Sequence, residues 1–148
     1  MVEAKTKLIY LDFDGVLHPS TPLDHAFFSR AHLLEGIFEK SNAAIVISSS
    51  WRFTHSLASL QGKLPQFVAQ KVIDTTGPAV IGKHARYQEI ISHANRHSQP
   101  LEMPLQWRAL DDSYWEFPSN CKELIRCNPN TGIGPKEVAL LSSWLTSE

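Results

Sequence analysis

With 148 residues, 43% of them hydrophobic and 20% charged, the chain has the composition of one globular domain large enough to bury a core. A formal net charge of -1 removes any global electrostatic case for a polynucleotide or membrane binder, and the two cysteines, Cys121 and Cys127, have neither zinc-ligand nor disulfide-framework spacing. The N-terminal apolar stretch is too short for a signal peptide, and no run approaches the roughly 20 residues of a membrane span, so a cytoplasmic location is expected.

The first apolar run, residues 7–13 (KLIYLDF), reads as a strand buried on both faces. It finishes on Asp12 and Asp14, followed at once by Gly15 and with no basic residue nearby. Two carboxylates at a core edge are costly unless something cationic fills the gap between them. Phe27, Ala31, Leu34 and Phe38, spaced by four, three and four, predict a helix over 24–40. Residues 43–48 (AAIVIS) are a second buried strand, running into the hydroxyls of Ser48, Ser49 and Ser50. A short third strand spans 71–75. Lys83 and Arg86 then introduce a helix over 84–97, striped by Tyr87, Ile91 and Ala94. A fourth strand, 107–112, ends on Asp111 and Asp112, and a fifth covers 123–127. Pro135 opens a last helix striped by Val138, Leu141 and Leu145.

Strands alternating with helices imply a parallel sheet covered on both faces, and no linker or repeat divides the chain, so residues 1–148 form a single α/β domain. In such sheets ligands bind beyond the carboxyl ends of the strands. Those ends carry Asp12 and Asp14, Ser48, and Asp111 with Asp112, while Lys83 and Arg86 introduce the helix over 84–97. Brought together, they would make a crevice of hard oxygen donors suited to Mg²⁺. Other residues have plainer readings. His18 is a loop residue, with substrate contact as the alternative. His93 and His97 share a helix face but lack a third ligand and are expected to face solvent. Trp51, Trp107, Trp115 and Trp144 read as core or rim aromatics rather than a base-stacking platform.

DFDGVLHP at 12–19, AIVISSSW at 44–51, Lys83 with Arg86, and WRALDDS at 107–113 resemble, in order and spacing, the four signatures of the haloacid dehalogenase (HAD) superfamily of phosphotransferases. The closing segment is similar to that of small members, and the phosphatase-like domains attached to RNA-repair proteins are a closer resemblance. The resemblance implies a Rossmann-like three-layer sandwich around a mainly parallel sheet. Residues 19–43 and 51–82, where a cap would be inserted, are too short for a lid domain.

By the same resemblance the chain is a Mg²⁺-dependent phosphatase working through an aspartyl-phosphate. Asp12 is the implied nucleophile, and Asp14 the general acid/base that also offers its backbone carbonyl to the metal. Gly15 permits the tight exit from the strand. Ser48, with Ser49 as the register alternative, binds a phosphoryl oxygen. Arg86 or Lys83 places a cation on the phosphate, Arg86 being preferred on pattern. Asp112 is the implied metal ligand, supported by Asp111. The implied partner is a phosphorylated substrate, macromolecular if the open site is taken at face value: a phosphoprotein or a nucleic-acid end. The rival from another class is a non-catalytic phosphate-binding or interaction domain on the same fold. A phosphoacceptor receiver domain fits less well, because its phosphorylated Asp ends a later strand.

Overall fold

The computed structural model describes residues 6–39 and 41–147. Five strands, β1 (Lys7–Leu11), β2 (Ala44–Ile47), β3 (Val72–Thr75), β4 (Gln106–Asp111) and β5 (Leu124–Arg126), form one sheet. Its order is β3-β2-β1-β4-β5, and every neighbouring pair is parallel. β1 and β2 are buried almost throughout, which is why their sequences lack polar alternation. The strand order reverses at β1: β2 and β3 are laid to one side, and β4 and β5 to the other. A switch of that kind opens a crevice at the carboxyl ends of β1 and β4.

One face of the sheet is covered by α3 (Ala85–Ser98), whose Ile90 and Ala94 pack with Leu8, Tyr10, Val46 and Ala109. The other carries α4 (Pro135–Leu145) and the short α1 (Leu57–Gly62) and α2 (Gln66–Ala69). There Leu60, Val68, Leu141 and Leu145 meet Ile9, Leu11, Ile45 and Ile47. The architecture is a Rossmann-like three-layer sandwich without a cap domain, since the described residues of 19–43 and 51–82 hold only short helical turns and β3. Lys7 fastens the first strand to the end of the last helix: its Nζ donates to the carbonyls of Trp144 (2.8 Å) and Ser147 (2.6 Å). A cation there also complements the negative end of the helix dipole.

The helix expected over 24–40 is not formed. Two 3₁₀ turns, Asp24–Ala26 and Ala31–Leu34, take its place, and Lys40 lies outside the described residues. Phe28 adopts a left-handed conformation (φ 59°), as does Gly36 (φ 84°), and neither belongs in an α-helix. The strained turn at Phe28 aims its N–H at the His18 Nδ1 (3.1 Å), and the next segment is anchored by Arg30 N–H on the Leu17 carbonyl (2.8 Å). Tertiary anchoring overrides the periodicity, yet Ala31, Leu34 and Phe38 are buried all the same. His93 also departs from expectation. It is buried on the inner face of α3, with its ring between Tyr10 and Asp74.

Candidate active site

The crevice at the switch point is lined by the ends of β1, β2 and β4 and by the first turn of α3. Asp12 extends the ladder of β1, its N–H donating to the Leu110 carbonyl (3.1 Å). Phe13 turns into the core, and the chain then folds sharply, with the N–H groups of Val16 and Leu17 both on the Phe13 carbonyl. Gly15 has no substitute here. Its φ is 79°, and a Cβ would lie 2.2 Å from Asp112 Oδ2.

The two candidate serines have different surroundings. Ser49 Oγ accepts the Trp51 N–H (3.2 Å) and caps a 3₁₀ turn. Among the described residues Ser48 Oγ, which is buried, has no hydrogen-bond partner, and neither has Thr76 Oγ1 at the end of neighbouring β3. An orphaned buried hydroxyl at a strand end invites a ligand.

The two candidate cations also part company. Arg86 enters the crevice, its Nη1 2.8 Å from Asp111 Oδ2 and 3.4 Å from Asp12 Oδ1. Lys83 is exposed, on the far side of a left-handed turn at His84 (φ 54°). Asp111 is fully engaged, since its other oxygen accepts the Ser113 N–H (2.9 Å). Asp112 is less committed: the Ser113 hydroxyl donates to its Oδ1 at 3.4 Å, and it shares a side-chain hydrogen bond with Asp12.

Asp12, Asp111 and Asp112 each present an oxygen within 4.8 Å of the others, and all three are buried. With Glu89, four buried carboxylates face the guanidinium groups of Arg52 and Arg86. Burial, then the charge of Asp111, pushes the Asp12 carboxyl well above its ordinary pKa, against the pull of Arg86. Burial and Asp111 likewise raise Asp112. The negative charge is incompletely compensated. A set of hard carboxylate oxygens with an unmet need for positive charge fits Mg²⁺.

Asp14 stands apart from this cluster at the rim, with 43% of its side chain exposed. His18, fully buried, accepts the Phe28 N–H at Nδ1; its Nε2 therefore carries the proton and donates to Asp14 Oδ1 (2.7 Å). Trp51 Nε1 donates to the other oxygen (3.1 Å). Asp14 is thus held by both oxygens while remaining open to solvent.

Sequence reasoning missed four contributors. His18 and Trp51 were visible only as neighbours of the motifs. Arg52 and Glu89 form a buried pair (2.9 Å) that braces the site: Arg52 also donates to the carbonyls of Ser48, Ser49 and Gly77, and Glu89 accepts the Val80 N–H (3.0 Å). The only sequence signal was the three-residue spacing from Arg86 to Glu89.

Residues 8–138 match the family described as the HAD domain in Swiss Army Knife RNA repair proteins. The chain belongs to this family. The match runs from β1 into α4 and contains every crevice residue named above. No curated protein and no solved structure matches this HAD domain significantly. Among the described residues no helix is long and apolar enough to cross a membrane.

Proposed function

We propose that this HAD domain is a phosphohydrolase that removes a phosphate monoester from a nucleic-acid end through an aspartyl-phosphate on Asp12. The observation that carries the reading is Asp12 itself: a buried carboxylate between an arginine and an acid pair, beside an unpartnered serine hydroxyl. Phosphoryl transfer needs an in-line nucleophile and charge neutralisation, and little else.

In this reading Arg86 and the Ser48 hydroxyl hold two phosphoryl oxygens while an Asp12 oxygen attacks phosphorus. The bond from phosphorus to the ester oxygen breaks, and Asp14, aimed from the rim by His18 and Trp51, gives that oxygen its proton. Asp14 then takes a proton from water as the water oxygen attacks phosphorus, breaking the acyl-phosphate bond and freeing Asp12 and inorganic phosphate. Asp12 and Asp112, supported by Asp111 and the Asp14 carbonyl, would hold Mg²⁺, which supplies the positive charge the crevice lacks. Arg52 and Glu89 keep the β2 end and Arg86 in place.

The substrate class rests on the open rim and on the family's description as a domain of RNA repair proteins. A crevice without a lid gains little from a small metabolite, whereas a macromolecule brings contacts outside it. The test is acid-quenched turnover of 3′- and 5′-phosphorylated oligonucleotides, phosphopeptides, sugar phosphates and p-nitrophenyl phosphate with Mg²⁺. A phosphoenzyme absent from the Asp12→Asn variant is expected. So is a kcat/KM at least tenfold higher for an oligonucleotide end than for a sugar phosphate, about 1.4 kcal/mol of transition-state binding. Tight binding of a phosphorylated end without turnover would instead favour a non-catalytic module.

A further inference from the structure

Beyond the acid pair of β4 the chain makes a short 3₁₀ turn, Tyr114–Glu116, that leaves two large rings in solvent. Tyr114 is 49% exposed and Trp115 61%. The turn is tied to the crevice, because the Tyr114 N–H donates to the Asp112 carbonyl (3.0 Å). Arg126 ends the neighbouring strand in register with Asp111, and its Cζ lies 3.8 Å from the Tyr114 ring centroid. Among the described residues no carboxylate pairs with it. These groups, with His84 and Asn120, line a hollow of about 460 Å³. His84 stands two residues before Arg86, so the hollow and the crevice share the β4 end and the entry to α3.

Size does not single this hollow out, since another of about 410 Å³ lies beside Met103 and Trp107. Position and chemistry do. The second hollow opens at the start of β4, away from the carboxyl ends, whereas the first adjoins the phosphate crevice. Exposed rings that stand next to a charged site, with an uncommitted guanidinium fixed over one of them, are the ingredients of a stacking platform for a planar base. Asn120 and His84 add polar edges to its wall, and Arg126 offers positive charge to a second phosphate.

We infer that the hollow formed by Tyr114, Trp115 and Arg126 is a subsite for the terminal nucleobase of a phosphorylated nucleic-acid end. The inference rests on the reading of the adjoining crevice as the seat of the terminal phosphate. Trp115 supplies the free stacking face. Arg126 fixes Tyr114 and faces the backbone. The platform explains how a lidless site positions its substrate: the base, not a cap, holds the phosphate over Asp12.

The test measures binding, so that it does not depend on turnover. Short RNAs phosphorylated at the 3′ or 5′ end, labelled at the opposite end, are titrated into full-length Asp12→Asn protein with Mg²⁺. The same RNAs with an abasic terminal residue are titrated in parallel. Trp115→Ala and Arg126→Ala are each expected to weaken binding of one of the intact ends about tenfold, within the range of base–aromatic stacking. Trp115→Phe should keep most of the affinity. The abasic end should bind about tenfold more weakly than the intact one when Trp115 is present and equally when it is Ala, because the two changes remove the same contact. Equal binding of intact and abasic ends to the Trp115 protein overturns the inference. So does equal weakening by Trp115→Ala of a phosphopeptide. If coupling is found but wild-type protein releases no phosphate, the subsite stands and the phosphatase reading falls.

Discussion

Two buried polar groupings in this domain are built on opposite terms. On the α3 face, the Tyr10 hydroxyl lies 2.9 Å from His93 Nδ1, and His93 Nε2 lies 2.9 Å from Asp74 Oδ2. The Asp74 carboxylate, 55% exposed, can only accept, so His93 Nε2–H donates to it and Nδ1 accepts from the Tyr10 hydroxyl, whose pKa burial raises. Every member has a partner, and the only charge is wet. At the carboxyl edge, three carboxylates crowd together in the interior, and Ser48 and Thr76 have hydroxyls with nothing to bond. The first arrangement stabilises the fold. The second costs stability, and in the proposed reading a cation and a phosphate would recover it.

Removing one charge from the edge should therefore do what removing a group from the face cannot. Asp12→Asn is expected to cut phosphate release by at least about 1,000-fold, about 4 kcal/mol in the barrier. In Mg²⁺-free buffer the same variant should melt higher than wild type, by the few degrees that about 1 kcal/mol confers on a domain of this size. Thermal melts with and without Mg²⁺ check this, and a lower metal-free Tm would erase the contrast between the two groupings.

Next in size is the division of labour within the acid pair. Asp112→Ala should weaken Mg²⁺ binding about tenfold more than Asp111→Ala, because Asp111 is already spent on Arg86 and the Ser113 N–H. Calorimetric titration of both variants decides the order, and the reverse order would move the metal onto Asp111.

Paired hydroxyl deletions sharpen the comparison further. Tyr10→Phe strands a buried imidazole and should cost about 1 kcal/mol in urea unfolding, with or without metal. Ser48→Ala removes a hydroxyl that bonds to nothing and should leave unfolding within about 0.5 kcal/mol of wild type. A large loss from Ser48→Ala would reveal a structural partner for that oxygen.

The smallest effect expected is a pH dependence. Burial holds the His93 pKa below its ordinary 6.5, with the Asp74 contact opposing and Arg96 and His97 adding to the depression. The unfolded chain then binds a proton more readily than the folded one. The stabilising share of neutral His93 is complete above pH 6.5 and is lost as pH falls below that value toward the folded pKa. His93→Gln should flatten the Tm profile in that window, and an unchanged slope would assign it to other groups.

How much of this was legible in the sequence varied with the range of the interaction. The strands were legible because a parallel sheet buried on both faces leaves near-continuous apolar runs, and their acidic ends marked the crevice. Arg86 was preferred over Lys83 on the pattern of the resembling family, and the structure places its guanidinium beside Asp111 and Asp12. The helix expected over 24–40 failed because its backbone is set from outside, by His18 on Phe28 and by Leu17 on Arg30. Periodicity reports which side chains are buried, not which path carries them there. His93 was misread because its partner lies 83 residues away in β1, and Arg52 with Glu89 escaped notice across a separation of 37. Trp115 read as an ordinary rim aromatic, since exposure of a ring next to a particular crevice is not written in local pattern.

The clasp between Lys7 and the end of α4 bears on how the chain is made. β1 is synthesised before the other four strands but lies at the centre of the sheet, and its second neighbour, β4, begins only at Gln106. Until then a nascent chain holds β1 with one edge open, the condition under which unpaired strands recruit other chains. The Lys7 clasp waits longer still, for carbonyls at 144–147. Closing the sheet around β1 thus depends on contacts more than 95 residues away along the chain, and the open edge of β1 is the stretch exposed to mispairing until β4 is made.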